Sequence, residues 1–294
     1  MHFPLSRLRE RAGVRVLALG VRGQLECAIL RPEVPVNWIA ILTWWTSQPH
    51  PGVGPAWEPQ TGTTWQWQLS GVLDTSVNVD MYDVDLFDTS SATISQLHAD
   101  GRTVICYFSA GSRENWRPDA NLFPAAAIGN NLAGWQGERW LDVRDSDVRL
   151  IMEARIELAF HKGCDGVEPD NVDGYQNNTG FNLSAADQVD FNRFLAAEAH
   201  DRGLSVGLKN ALGLVSTLEP DFDWALNEEC LTYNECNRLQ PFVNAGKAVF
   251  HTEYVNTRAQ GQARAQQVCG DPRIAGFSTL IKTWDLDEWV IACP

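Results

Sequence analysis

Eight short runs rich in β-branched, aromatic and aliphatic residues recur between residues 64 and 281, and they decide what this chain can fold into. They are TWQWQL (64–69), VDMYDVDLF (79–87), TVICYFS (103–109), DGVEPD (165–170), LSVGLKN (204–210), FDWALNE (222–228), KAVFHTEY (247–254) and IAGFSTLI (274–281). Helical patterns separate most of them. VRLIMEARIELAFHKG has apolar residues at helical spacing and ends in Lys-Gly. Ser184 is placed to cap SAADQVDFNRFLAAEAHDRG, with Asp187 in its first turn. Largely apolar strands that alternate with helices are buried on both faces, as in a parallel sheet. The expected fold is therefore α/β, a single (β/α)8 TIM barrel. The alternative, an open doubly wound sheet, usually carries a glycine-rich phosphate loop, and neither GxGxxG nor GxxxxGK[ST] occurs.

The stretch TSQPHPGVGPAWEPQTG (46–62) is rich in Pro and Gly and reads as a linker. Residues 1–56 are expected to be a poorly ordered leader, and 57–294 the barrel domain. Within the leader, the basic SRLRERAGVRVLALGVRG and the apolar NWIAILTWW are the parts of a secretory signal, but badly spaced. A mis-set start and a degraded or disordered leader all remain open. No segment reaches the length of a membrane span.

The chain carries 23 basic and 37 acidic residues, a net charge of -14. Nucleic acid and anionic membranes are thereby excluded as expected partners, and a neutral or cationic one is favoured. Of seven Cys, Cys230 with Cys236 and Cys269 with Cys293 are candidate disulfides. Cys27, Cys106 and Cys164 have no obvious partner, and Cys106, within an apolar run, reads as a buried thiol.

Catalytic residues of such barrels stand at the C-terminal ends of the strands. Those ends offer Gln66 and Gln68, then Asp85 and Asp88, then Tyr107 and Ser109. The later strands offer Glu168, Asp170 and Asn171; Lys209 and Asn210; Asn227, Glu228 and Glu229; Glu253 and Tyr254; Lys282 and Trp284. Carboxylates from the fourth, sixth and seventh strands would converge around Lys209. Two carboxylates flanking a bond are what glycoside hydrolysis requires. The same oxygens, from Glu168, Asp170, Glu228 and Glu253, would also suit magnesium or calcium. A serine-nucleophile motif is absent, and the six His are scattered, with His251 in mid-strand.

The chain resembles glycoside hydrolase family 114, the endo-α-1,4-polygalactosaminidases. The matching stretches are TWQWQLSG, YDVDLFDT, GRTVICYFSAGS, NWRPDA, GWQGERWLDVR, DGVEPDNVDGYQNNTGF, GLSVGLKN, NEECLTYNEC and GKAVFHTEY. They run in order from about Trp65 to Tyr254. The resemblance implies a (β/α)8 barrel that hydrolyses α-1,4-linked galactosamine polymers internally, without a cofactor or metal. It implies Asp170 and Glu228 as the catalytic pair. By similarity to retaining barrel enzymes, Asp170 would be the nucleophile and Glu228 the acid/base. Glu229 is the rival for Glu228, because a register slip of one exchanges their faces. The family often has Asp at the position of Glu168, whose role here would be contact with substrate or Lys209.

Galactosamine without an acetyl group is a cation. Asp85, Asp173 and Glu253 are the candidates to recognise its ammonium, and Tyr107, Trp116, Trp140 and Trp284 to stack on sugar. Lys209 and Asn210 complete the expected site. Each Trp has packing as its alternative reading, and Asp85 has a helix cap or a buried Lys or Arg partner. The protein is expected to be a secreted or extracytoplasmic monomer. A carbohydrate-binding barrel without turnover and a metal-dependent hydrolase are the remaining alternatives.

Overall fold

The computed structural model describes residues 56–294. The leader expected over residues 1–56, Cys27 included, lies outside the described residues but for Ala56. All eight anticipated strands form. In chain order the strands are β1 (Trp65–Gln68), β2 (Met81–Asp85), β3 (Thr103–Ser109), β4 (Ser112–Glu114), β5 (Ile128–Asn131), β6 (Glu138–Leu141) and β7 (Gly166–Asp170). They continue with β8 (Ser205–Lys209), β9 (Trp224–Glu228), β10 (Val249–Val255), β11 (Phe277–Thr283) and β12 (Ile291–Ala292). The main sheet runs β1-β2-β3-β7-β8-β9-β10-β11-β12, parallel throughout except for the last, antiparallel pair.

No ladder joins β11 back to β1. Side chains and a loop bridge that seam instead. Trp65 Nε1 donates to the Ser278 carbonyl at 3.0 Å, and the amides of Leu69 and Ser70 donate to the Leu286 carbonyl at 2.9 and 3.2 Å. The eight parallel strands thus form the curled sheet of a (β/α)8 barrel, wrapped by α1 (Ser91–Ala99), α2 (Ser146–Lys162), α3 (Ala185–Asp201), α4 (Val215–Leu218), α5 (Gln240–Asn244) and α6 (Gly261–Val268). The cap read at Ser184 is present as a reciprocal capping box with Asp187.

Strand periodicity of two decides which residues enter the barrel. Trp65, Trp67, Met81, Ile105, Trp224, Leu226, Phe250 and Leu280 fill its lower interior as a cluster separate from the outer core. The alternate residues, among them Tyr82, Val104, Val167, Val206 and Val249, pack outward against the helices. The indole of Trp224 lies across β8 at Gly207, where a Cβ would come 2.2 Å from the ring. Only glycine admits that approach. Trp224 then meets Phe250 edge-on at 5.4 Å, and Trp65 lies 5.9 Å from Trp67 and 5.0 Å from Phe250. Large rings in one layer therefore require small residues facing them.

Gln66 and Gln68 alternate outward and do not line the mouth. Gln66 bonds the Glu288 carbonyl, while Gln68 holds the following loop through Ser70, Val72 and Asp74.

The opposite, N-terminal end of the barrel carries a repeated device. Asp165, before β7, accepts from the amide of Val104 and pairs with His98 of α1. Asp223, before β9, accepts from the amide of Val206 and pairs with His200 of α3. Each aspartate ties a strand start to the end of a helix.

Three disulfides form among the described residues. Cys230–Cys236 and Cys269–Cys293 are as expected. Cys106 is not a free thiol: it pairs with Cys164 across 58 residues. The reason is topological. β7 lies directly beside β3, with Cys106 opposite Val167, and Cys164 enters β7 from below on the same outer face.

The long segment between β3 and α2 folds into a small antiparallel sheet, β4-β6-β5. Two buried arginines anchor it. Arg117 grips Asp85 with both terminal nitrogens and Glu114 with Nε. Arg155 of α2 binds Asp119 in two places and the Ser109 carbonyl at 2.6 Å.

Candidate active site

Three neighbouring strands, β7, β8 and β9, end in left-handed turns built without glycine. Asn171 has φ +59°, Asn210 +48°, Ala211 +44° and Glu229 +59°. Such conformations are strained for residues with a Cβ and concentrate at functional sites. Opposite the first of these turns stands Gly111, where a Cβ would fall 1.8 Å from the Asn171 carbonyl oxygen. The turns cut the strands off where their last inward side chains, Asp170, Lys209 and Glu228, reach the mouth.

Lys209 is the hub of the arrangement. Its buried Nζ lies 2.6 Å from Glu168 Oε1, and 3.6 Å from both Asp170 Oδ1 and Glu228 Oε2. It also sits over the Trp67 ring, 4.5 Å from the centroid. Burial alone would strip its proton, but the charges of Asp170, Glu168 and Glu228 more than offset that and hold it as ammonium.

Asp170 accepts from its neighbour's amide, Asn171 N, at 2.7 Å and from the Tyr107 hydroxyl at 3.1 Å. Burial, and then the Asp170 charge, keep the Tyr107 phenol protonated. Glu228 accepts from Asn210 Nδ2 at 2.9 Å and from the Tyr254 hydroxyl at 2.5 Å. Asn210 also accepts from the Glu228 amide at 2.9 Å, which fixes the strand end as well as the carboxylate.

Glu229, the rival, stands just past the end of β9 with a left-handed backbone, φ +59°. Burial and the nearby charges of Glu253 and Glu228 push it up to about 7. Asp173 follows Asp170 at the mouth and is pushed up to about 6 by burial and the Asp170 charge.

Four expectations are corrected. Asp85 is consumed by the buried Arg117 pair, and is not open to an ammonium ligand. Glu253 faces the helix layer, because Phe250 of the same strand points inward and parity sends 253 outward. There it binds His251, Thr232, Arg264 and the amide of Leu231. Burial opposes its charge, but those hydrogen bonds prevail and hold it near 2. Trp140 is only 6% exposed in the small sheet and packs instead of stacking on sugar. The four-carboxylate metal set does not converge, since Glu253 is elsewhere and the Lys209 ammonium lies among the other three.

Trp284 and Trp116 remain available, 44% and 38% exposed. Trp284 stacks on Tyr254 with centroids 4.0 Å apart. The exposed rings of Trp135 and Tyr233 were not singled out from sequence, nor was Tyr254 given a role.

A second network joins this site to the small sheet. Asn171 Nδ2 donates to Ser109 Oγ, and Ser112 Oγ donates to Glu138 Oε2 at 2.6 Å. Ser109 must therefore donate to Ser112 across their 2.7 Å contact. Burial lifts Glu138 to about 7. The sequence held no signal for this residue, because β6 belongs to a lobe whose strands it does not announce.

The model of the family described as Glycoside-hydrolase family GH114 matches residues 46–294. This chain belongs to that family. Within the solved structures, a crystal structure of Aspergillus fumigatus Ega3 in complex with galactosamine is 45% identical, with a TM-score of 0.77, covering 82% of this chain and 98% of that one. The glycoside hydrolase domain of PelA from Pseudomonas aeruginosa has a TM-score of 0.62 at 14% identity, covering 80% and 99%, and shares the fold. No curated protein sequence matches significantly. The GH114 protein described here is thus a glycoside hydrolase, with its strand-end carboxylates where a barrel hydrolase carries its chemistry. Among the described residues no helix is long and apolar enough to cross a membrane.

Proposed function

We propose that the protein is a secreted, endo-acting hydrolase of α-1,4-linked galactosamine and N-acetylgalactosamine polymers, with Asp170 and Glu228 as its catalytic pair. The observation that carries this reading is the placement of both carboxylates 3.6 Å from one Lys209 Nζ at the barrel mouth. Twice that distance limits their nearest oxygens to about 7 Å, which favours the short separation of a retaining pair, about 5–5.5 Å.

Asp170, which accepts from a backbone amide and the Tyr107 hydroxyl and lies beside the Lys209 ammonium, attacks the anomeric carbon. Glu228 gives its proton to the leaving oxygen as the glycosidic bond breaks. A covalent glycosyl-aspartate results. Glu228, now a carboxylate, takes a proton from water as the water attacks that carbon and frees Asp170. Tyr254 suits this cycle, since its hydroxyl donates to the carboxylate and accepts from the acid. Asp173 and Glu229 add negative charge near the mouth, which attracts cationic galactosaminyl units. The galactosamine bound by the 45% identical relative supports that choice of sugar. Trp284 and Trp116 offer stacking faces for adjoining units. Three disulfides favour an oxidising, extracytoplasmic setting, and the protein is read as a monomer that needs no cofactor.

The test is digestion of partially deacetylated α-1,4-galactosaminogalactan, with products sized over time. Early appearance of mixed short oligomers supports the reading. Release of single sugars alone, or no cleavage, refutes it.

A further inference from the structure

Below the catalytic layer lies a carboxyl group that the mechanism above leaves unused. Asp83 sits mid-strand in β2, between Trp67 of β1 and Ile105 of β3 in the sheet register. It is 0% exposed. Neither of its oxygens receives an N–H or O–H from any described group. Its polar neighbour is Glu168 of β7, the carboxylate whose charge acts on it most strongly. Two carboxylates only accept, so neither can satisfy the other unless one carries the proton. A buried carboxylate that no donor reaches is costly, so one of the two is held as the acid.

The surroundings decide which. Glu168 Oε1 receives the Lys209 ammonium at 2.6 Å and Oε2 receives Trp67 Nε1 at 3.2 Å; burial lifts its carboxyl to about 7, but the Lys209 charge and these donors make it the more acidic of the two. Asp83 has no such donors. The charged groups that face it are Glu168 and Asp170 of β7 and Lys209 of β8; Trp67 and Ile105, on the flanking strands, are uncharged. Burial, and then the Glu168 charge, raise Asp83 well above the carboxylate range.

We infer that Asp83 is a permanently protonated positioning residue that donates to Glu168 and so fixes the Lys209 ammonium between Asp170 and Glu228. The inference rests on the catalytic reading above for its consequence, but its protonation state can be read without any substrate. As a second anion, Asp83 would draw Lys209 down and away from the mouth. As an acid, it completes the donor set of Glu168 and leaves Lys209 central.

The test has two arms. Infrared difference spectra of wild type minus Asp83→Asn, at neutral pH and without substrate, should show a protonated-carboxyl C=O stretch that the variant lacks. Absence of that band overturns the proposal, whatever the enzyme cleaves. On the polymer, Asp83→Leu removes the donor and should lower kcat about tenfold with KM little changed, the factor of one hydrogen bond to a charged group. Asp83→Asn keeps a donor and should restore kcat to within about threefold of wild type. An Asp83→Asn protein that folds but is as impaired as Asp83→Leu contradicts the role. A wild type that shows the band but cleaves nothing refutes the hydrolase reading and leaves the buried acid standing.

Discussion

The Lys209 ammonium rests on Glu168 Oε1 at 2.6 Å, and both side chains are closed to solvent. Charges of opposite sign buried together stabilise little in net terms, but removing one is costly because the other is stranded. Lys209→Met leaves Glu168, Asp170 and Glu228 facing one another without a counter-charge. It should destabilise the fold by about 3 kcal/mol and lower kcat at least about a hundredfold. Thermal unfolding and steady-state rates on the same preparation check both. Lys209→Arg should not rescue, since a planar fork does not fit a point-charge site over the Trp67 ring.

Tyr254 and Trp284 form one stacked unit with two different tasks. Tyr254→Phe keeps the stack and loses the bond to Glu228, so kcat should fall roughly tenfold while KM is nearly unchanged. Trp284→Ala keeps that bond and loses the exposed face, so KM should rise several-fold with kcat little affected. Kinetics on chains of defined length measure the split, and a fall in kcat alone for Trp284→Ala would remove its assigned role.

The acidic mouth makes substrate capture depend on pH. Asp173, pushed up to about 6, and Glu229, pushed up to about 7, are ionised above those values and neutral below them. Attraction for an ammonium-bearing polymer is therefore present at about pH 7, where the substrate amine still holds its proton, and lost by about pH 5. KM for deacetylated polymer should rise as pH falls through that window, and KM for fully acetylated polymer should change far less. Equal shifts for both polymers would count against electrostatic capture.

The floor of the barrel has its own pH dependence. The hydrogen bond that His200 donates to Asp223, partly opposed by burial, raises the His200 pKa above its ordinary 6.5. The resulting stability is full below about 6.5 and disappears as pH rises through the raised value. The His200 side chain is 40% exposed, so solvent screening keeps the contribution under about 1 kcal/mol. Denaturant midpoints of wild type and His200→Gln should differ on the acid side and converge on the alkaline side.

Gly207→Ala should cost about 3 kcal/mol or more, since the added methyl must displace the Trp224 ring on which the lower interior is built. Calorimetric unfolding decides it, and a stability within about 0.5 kcal/mol of wild type would show that the ring can move.

The eight strands were legible in the sequence because short runs of β-branched, aromatic and aliphatic residues recur between helical patterns, and the catalytic candidates because such runs end in polar residues. Parity was harder. Glu253 and Tyr254 both end β10, and only Phe250 meeting Trp65 and Trp224 inside the barrel reveals which of them faces in. Asp83 lay in plain view in VDMYDVDLF. A carboxyl among apolar neighbours acquires meaning only when Glu168, from another strand, is known to be its partner. Cys106 and Cys164 needed the adjacency of β3 and β7, which the intervening small sheet conceals. That sheet was not legible in the sequence, because its strands are three or four residues each and partly exposed. Asp85 and Trp140 were misassigned for the same reason, since Arg117 and the small sheet supply their surroundings.

The most direct test of the central claim compares wild type with Asp170→Asn and Glu228→Gln on partially deacetylated α-1,4-galactosaminogalactan, after all three are shown to be folded. The account predicts loss of at least about a thousandfold in kcat for either variant, with polymer binding retained. Substantial cleavage by either variant, or loss confined to Glu229→Gln, would contradict it.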